Sequence, residues 1–273
     1  MKLIASLTLY ILIGIIISSC GTGKFLGFEK EKIPLKGERV SVLKSELSIK
    51  KDNLSSSEIE LSIPVELTDW KQSFNSPTHS GLNYLTDSKF SKFKKLVKGK
   101  GERSNNKILA QPIISKNKLF FLDAAGNVLA YDMIKNKVIW KKNITINNDQ
   151  GHNIGGGLAV DNKFLFISSP YAELFCLDLN TGDLVWKNNT VTPIRATPTL
   201  VENKVIILTS DNRILVFVKE DGTLIWEHQG IQNTTAIIGE PKVAVDGNLV
   251  LAPYSNGDIF ALNLINGSEL WKQ

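Results

Sequence analysis

The sequence predicts an all-β fold, a β-propeller built from four-stranded antiparallel blades, with four blades present. Three observations carry this. Four segments align without a gap over fifteen residues: Gly126–Trp140 (GNVLAYDMIKNKVIW), Ala172–Trp186 (AELFCLDLNTGDLVW), Asn212–Trp226 (NRILVFVKEDGTLIW) and Gly257–Trp271 (GDIFALNLINGSELW). Their closing tryptophans recur at spacings of 46, 40 and 45 residues. A second pair of short apolar runs precedes each segment, so every unit offers four strands at the period of a propeller blade.

Each unit can be justified piece by piece. The first arm is read as an alternating apolar strand with period-two side chains. A short polar turn follows, with Gly182, Gly222 and Gly267 at one equivalent position and Asn136 at the fourth. The second arm closes on an apolar pair and a tryptophan, with period two expected on both arms. The upstream hairpins span Pro112–Asp123, Leu158–Ser168, Pro198–Thr209 and Pro241–Ala252, turning on Lys-Asn, Asp-Asn, Glu-Asn or Asp-Gly. Those pairs suit tight turns. A tryptophan at one strand position in every blade is expected to fill the wedge between neighbours. Cys176 stands where Ala130, Val216 and Ala261 stand in the other units, which reads as a small buried core residue.

Composition agrees. At 273 residues with 42% hydrophobic and 8% aromatic content, the chain can build a core and is not wholly disordered. A formal charge of +5 over this length gives no reason to expect a nucleic-acid partner. Two cysteines, Cys20 and Cys176, exclude a disulfide framework.

Residues 1–19 read as a lipoprotein signal peptide. Lys2 supplies the positive start, and Leu3 to Ile17 is almost wholly apolar. That run is short of the ~20 residues a membrane span needs. Ile17-Ser18-Ser19-Cys20 resembles the bacterial lipobox, which implies that Cys20 is acylated, with palmitate-type chains, and becomes the mature N-terminus. Two or three acyl chains give stable attachment without a spanning helix. Gly21, where an aspartate would signal inner-membrane retention, implies the outer membrane, facing the periplasm. Residues 20–66 mix Ser, Gly, Pro and charges of both signs and read as a tether. Residues 67–273 are the propeller.

The blade ending of Asp or Asn, three residues, Gly, three residues and Trp resembles the pyrroloquinoline-quinone-type propeller repeat, and LDLNTGDLVW (Leu177–Trp186) is its closest copy. The lipobox at Cys20, Ile33–Leu43 (IPLKGERVSVL) and Asp69–Tyr84 (DWKQSFNSPTHSGLNY) resemble the BamB family of outer-membrane assembly lipoproteins. That resemblance implies an eight-bladed ring and a non-enzymatic scaffold. It implies binding to the periplasmic domains of BamA, beside other assembly-machinery subunits, with unfolded outer-membrane proteins as clients. Four blades are half of such a ring. The chain is thus expected to be part of a longer protein, the alternatives being closure of four blades alone or by pairing with a second copy. Trp70 is expected in a strand that completes a further blade. The family's partner contact, an arginine followed by a small residue and a proline, is matched by Arg195 in TPIRATP (Thr192–Pro198), with Ile194 as its apolar neighbour. The family's acidic partners one blade later are matched only by Glu240.

No catalytic residue, cofactor or metal site is expected. A quinone-dependent dehydrogenase is the enzymatic alternative, and a propeller binding another periplasmic target is a third reading. Quinoprotein dehydrogenases commonly carry adjacent cysteines and a calcium site, and this chain has no Cys-Cys pair. Asp178-Leu-Asn180-Thr-Gly182-Asp183 lacks the length and closing glutamate of a calcium loop. His79, His152 and His228 have no ligating neighbour at metal-binding spacing. Gly155-Gly156-Gly157 lacks the Lys-Ser/Thr of a phosphate loop.

One charged stretch remains. Lys89 to Lys107 holds eight basic residues and one acid, Glu102. Lys92, Lys94, Lys95, Lys98, Lys100 and Arg103 are candidates for contact with an anionic surface, at about 1 kcal/mol per basic residue near a membrane. A solvated loop is the plainer alternative.

Overall fold

Short apolar runs separated by residues that accept a left-handed backbone dictate the strands. A computed structural model describes residues 61–86, 93–102, 107–145, 155–232 and 242–273. The first blade is β1 (Ile113–Ser115), β2 (Lys118–Leu122), β3 (Asn127–Asp132) and β4 (Lys137–Asn143). The second is β5 (Gly157–Val160), β6 (Phe164–Ser169), β7 (Glu173–Asp178) and β8 (Leu184–Asn189). The third is β9 (Thr199–Val201), β10 (Lys204–Leu208), β11 (Arg213–Val218) and β12 (Leu224–Gln229). The fourth is β13 (Ala244–Asp246), β14 (Leu249–Pro253), β15 (Ile259–Asn263) and β16 (Glu269–Lys272). Each blade is one antiparallel sheet with its strands in sequence order.

The repeat motif has a local cause. Asp132 and Asp178 each accept two backbone N–H groups of the following turn, at 2.8 to 3.0 Å. Four residues on, Gly182, Gly222 and Gly267 take φ of 72° to 74°, a left-handed conformation that glycine adopts freely. The second arm departs from strict period two. In every blade the register slips at one equivalent place, between Ala130/Tyr131, Cys176/Leu177, Val216/Phe217 and Ala261/Leu262. This β-bulge lies just before the tryptophan, and in the first three blades it turns the ring toward the next blade, while Val138, Leu184, Val185, Leu224 and Ile225 before it stay exposed.

Blade packing is repetitive. Phe120, Ala130 and Trp140 on one face of the first blade meet Leu165, Ile167 and Leu177 of the second. The next joint sets Phe166, Cys176 and Trp186 against Val205, Ile207 and Leu215. The third sets Ile206, Val216 and Trp226 against Val250, Ala252 and Phe260. Each tryptophan also donates its indole N–H across the joint, Trp140 to the Leu179 carbonyl, Trp186 to Lys219 and Trp226 to Leu264, at 3.2, 2.8 and 2.9 Å. Trp271 has no such neighbour among the described residues and is 48% exposed.

The strand expected around Trp70 is not one that completes a further blade. Trp70 makes an isolated antiparallel bridge to Ile114 of β1, with both N···O distances 2.8 Å. From there the chain runs as a strap across the first strands of all four blades. The Lys71 carbonyl accepts from Val160 N at 2.8 Å. The Gln72 side chain accepts from Leu200 N at 2.8 Å and donates to the Leu200 carbonyl at 3.3 Å. The Pro77 carbonyl accepts from Val245 N at 2.8 Å, and His79 Nε2 donates to the Val243 carbonyl at 2.9 Å. Extended chain just before the strap is already paired, because Val65 bridges Tyr84 in parallel.

Candidate functional site: the interblade loop carrying Arg195

The segment between β8 and β9 is irregular in backbone yet held along its whole length. Thr190 N donates to the Ala172 carbonyl, and the Thr190 carbonyl accepts from the Arg213 guanidinium. Thr192 Oγ1 donates to Asp211 Oδ1 at 2.8 Å. The Pro193 carbonyl accepts from Ser210 N at 2.9 Å, and Ile194 N donates to the Ser169 carbonyl at 3.2 Å. The Arg195 carbonyl accepts from Gly156 N at 3.0 Å, and the Ala196 carbonyl accepts from Ser168 Oγ at 2.6 Å.

Neighbouring glycines explain how the loop sits so close. A Cβ on Gly155 would come within 2.9 Å of Arg195, and one on Gly157 within 2.3 Å of Thr197 Oγ1. Gly155 and Gly157 therefore serve close approach between the second blade and the loop, while a Cβ on Gly156 would meet the Ser168 carbonyl within the second blade.

Ile194 does not flank Arg195 at the surface. It is fully buried, packed with Phe166, Cys176 and Val205 in the second joint. Chain direction alternates here, with Ile194, Ala196 and Pro198 inward and Arg195 and Thr197 partly exposed. That alternation was visible in the sequence and is the signal that separates the two residues. Arg195 is half-buried, and its guanidinium makes no hydrogen bond or ion pair among the described residues. The neighbouring Val191 is exposed and has φ of 69°, an uncommon conformation for a β-branched residue. Asp211 and Arg213, which fix the loop, carried no motif.

The remaining candidates divide by position. Cys20, Lys92, Arg103, His152 and Glu240 lie outside the described residues. Lys94, Lys95, Lys98 and Lys100 are exposed on a stretch that crosses the first blade. Lys94 Nζ donates to Asn136 Oδ1 at 2.8 Å. Cys176 is fully buried, and burial together with the Asp161 carboxylate pushes its thiol well up, so it is inert core. His228 ties two blades together, with Nδ1 2.6 Å from the Tyr254 hydroxyl and Nε2 2.9 Å from Glu269 Oε1. Among the described residues no group of three or more His, Cys, Asp or Glu side chains converges as a metal site would require. No helix among them is long and apolar enough to cross a membrane.

Sequential four-stranded blades joined by tryptophans over glycine turns define a propeller of the pyrroloquinoline-quinone-like repeat type. A family model described as outer membrane protein assembly factor BamB matches residues 124–273, and the chain belongs to that family. An uncharacterised protein of Rickettsia conorii is 26% identical over 169 residues, which are 62% of this chain and 41% of that protein. The outer membrane protein assembly factor BamB of Nitrosomonas eutropha is 20% identical over 162 residues, 59% of this chain and 38% of that protein. The chain thus spans about two fifths of the length of these curated relatives. Among solved structures, the quinohemoprotein alcohol dehydrogenase of Comamonas testosteroni matches with a TM-score of 0.60 at 16% identity, covering 75% of this chain and 41% of that one. BamB from Moraxella catarrhalis matches with a TM-score of 0.49 at 20% identity, over 62% and 49% of the two chains. At 16% identity the dehydrogenase shares the fold alone.

Proposed function

We propose that this chain is the propeller of a lipid-anchored, non-enzymatic scaffold of outer-membrane β-barrel assembly. It docks on the periplasmic domains of BamA through Arg195 and supports insertion of outer-membrane proteins. Family membership supports the setting, and one observation carries the contact. Arg195 offers a guanidinium unpaired among the described residues, on a loop whose backbone is already fixed, so binding pays little for ordering that loop. A partner carboxylate would complete a hydrogen-bonded ion pair, a frequent hot spot. Ile194 supports the loop from beneath. In the same reading residues 1–19 are removed, Cys20 is acylated, residues 20–66 tether, and the propeller faces the periplasm at the outer membrane. Lys94, Lys95, Lys98 and Lys100 face an anionic surface.

Titrating the purified chain with BamA periplasmic domains tests the contact. Arg195→Glu is expected to weaken binding about thirtyfold, the equivalent of a hot spot of ~2 kcal/mol. Unchanged affinity would contradict it.

The second reading, a quinone-dependent dehydrogenase-like propeller, draws on the fold shared with the alcohol dehydrogenase. The strap favours the scaffold, because it occupies the inner edges of the blades, where a propeller's central channel would otherwise receive a ligand. Stoichiometric quinone uptake with dye reduction would reverse that preference.

A further inference from the structure

The stretch from Phe93 to Lys100 crosses the face of the first blade that is turned away from the second. That face carries Leu119 and Phe121, which alternate with the core residues Phe120 and Leu122. The crossing is clamped at both ends. At one, Lys94 bonds Asn136, the turn position that is glycine in the other three blades. At the other, Lys100 N donates to Asp123 Oδ2 at 2.9 Å, and the Lys100 carbonyl accepts from Ala124 N at 3.2 Å. Asp123 is itself fixed by the backbone N–H groups of Ala125 and Asn127. Gly99 lies so close that a Cβ would come within 2.8 Å of the Phe121 ring.

Between the clamps lies a cleft of about 250 Å³, lined by Leu96, Val97, Pro112, Leu119 and Phe121, with exposed Lys95 beside them. This exceeds the ~150 Å³ apolar cavities that accept benzene and falls short of the ~300 Å³ at which pockets for drug-sized ligands begin. It suits the end of one chain-like apolar group. Lys94, Lys95, Lys98 and Lys100 are exposed, and none forms an ion pair among the described residues. Phe93, next to them, is 93% exposed. An exposed aromatic, a cluster of lysines and an apolar recess are the parts of an interfacial lipid contact.

We propose that this cleft takes the acyl-chain end of an anionic phospholipid, with the flanking lysines meeting its phosphate. The proposal rests on the anionic-surface reading of those lysines and adds the acyl chain to it. It is independent of the Arg195 contact.

The test uses the chain carrying Cys20→Ala, so that no acyl anchor of its own holds it, with vesicles doped with phosphatidylglycerol or phosphatidylcholine that carries a photoactivatable group near the acyl end, followed by peptide mapping. Labelling is expected between Leu96 and Phe121, and about tenfold stronger from the anionic probe, as one to two lysines at the headgroup would give. Leu119→Glu should remove that label while attachment to anionic vesicles persists. If this variant fails to fold, Leu96→Asp on the crossing stretch serves instead. Attachment that depends on Lys95 and Lys98, with label only elsewhere, would overturn the cleft and leave the surface contact standing. Equal attachment to neutral and anionic vesicles would overturn both. Loss of the label to an acidic peptide that contains apolar residues, with no preference for anionic lipid, would assign a protein partner and overturn the lipid.

Discussion

The indole of Trp186 lies on Gly222 of the next blade, where a Cβ would fall 2.7 Å from a ring carbon, and its N–H donates to the Lys219 carbonyl at 2.8 Å. Trp140 on Gly182 and Trp226 on Gly267 repeat the pair. The glycine thus answers two demands at once, a left-handed turn and contact with a flat ring.

Gly222→Ala should therefore cost about 2–4 kcal/mol, combining left-handed strain with overpacking. Asn136 occupies the matching position in the first blade with φ of 51° and meets Lys94 instead of a tryptophan. Asn136→Gly should stay within about 1 kcal/mol of the parent. Urea unfolding of both variants checks the contrast, and similar losses would refute the assigned role of the ring.

Gln72 is buried and forms both of its bonds with one backbone residue, Leu200. Gln72→Leu would leave a buried N–H and C=O unpaired, at about 1–3 kcal/mol. Hydrogen exchange at Leu200 should rise with little change at Ile114, where Trp70 still holds the strap. A uniform rise across all four blades would instead mean that the strap unfolds as one unit.

His79 sets a pH dependence. Its Nε2 must donate, because the Val243 carbonyl only accepts, and its Nδ1 is buried with no well-formed hydrogen bond among the described residues, the Ser73 backbone being close by. Burial, helped by nearby Lys242, holds the ring's pKa below the ordinary 6.5, against the opposing pull of the Val243 carbonyl. The folded protein thus prefers the neutral ring. As pH falls below 6.5 the unfolded chain takes up a proton first, so this part of the stability is complete above that value and lost progressively below it. Thermal unfolding between pH 7.5 and pH 5, chosen as roughly one unit or more either side of that point, should show a decline that His79→Gln reduces. An equal decline in the variant would assign the effect elsewhere.

Blade count, strand order and the joint residues were legible because the short apolar runs and the Gly–Trp interval are local, although the alternation expected of the first arm is absent, β3, β7, β11 and β15 being buried on both faces between neighbouring layers. The bulge before each tryptophan was not, since a single extra residue leaves the apolar pattern readable either way. The strap was hidden for another reason. Gln72 meets a residue 128 positions away and His79 one 164 away, and no local pattern reports such contacts. Arg195 was singled out by a resemblance. That its guanidinium has no partner among the described residues follows only from the positions of Asp211, Arg213 and Gly156, which hold the loop by the Thr192 hydroxyl and by its backbone and leave the Arg195 side chain alone.

Co-purification tests the central claim most directly. The complete native gene product, tagged and gently solubilised from membranes, should bring BamA and its companions with it, and Arg195→Glu should lose them while remaining folded. Absence of BamA from a folded, membrane-attached wild-type preparation would contradict the scaffold account and send the search to whatever proteins elute in its place.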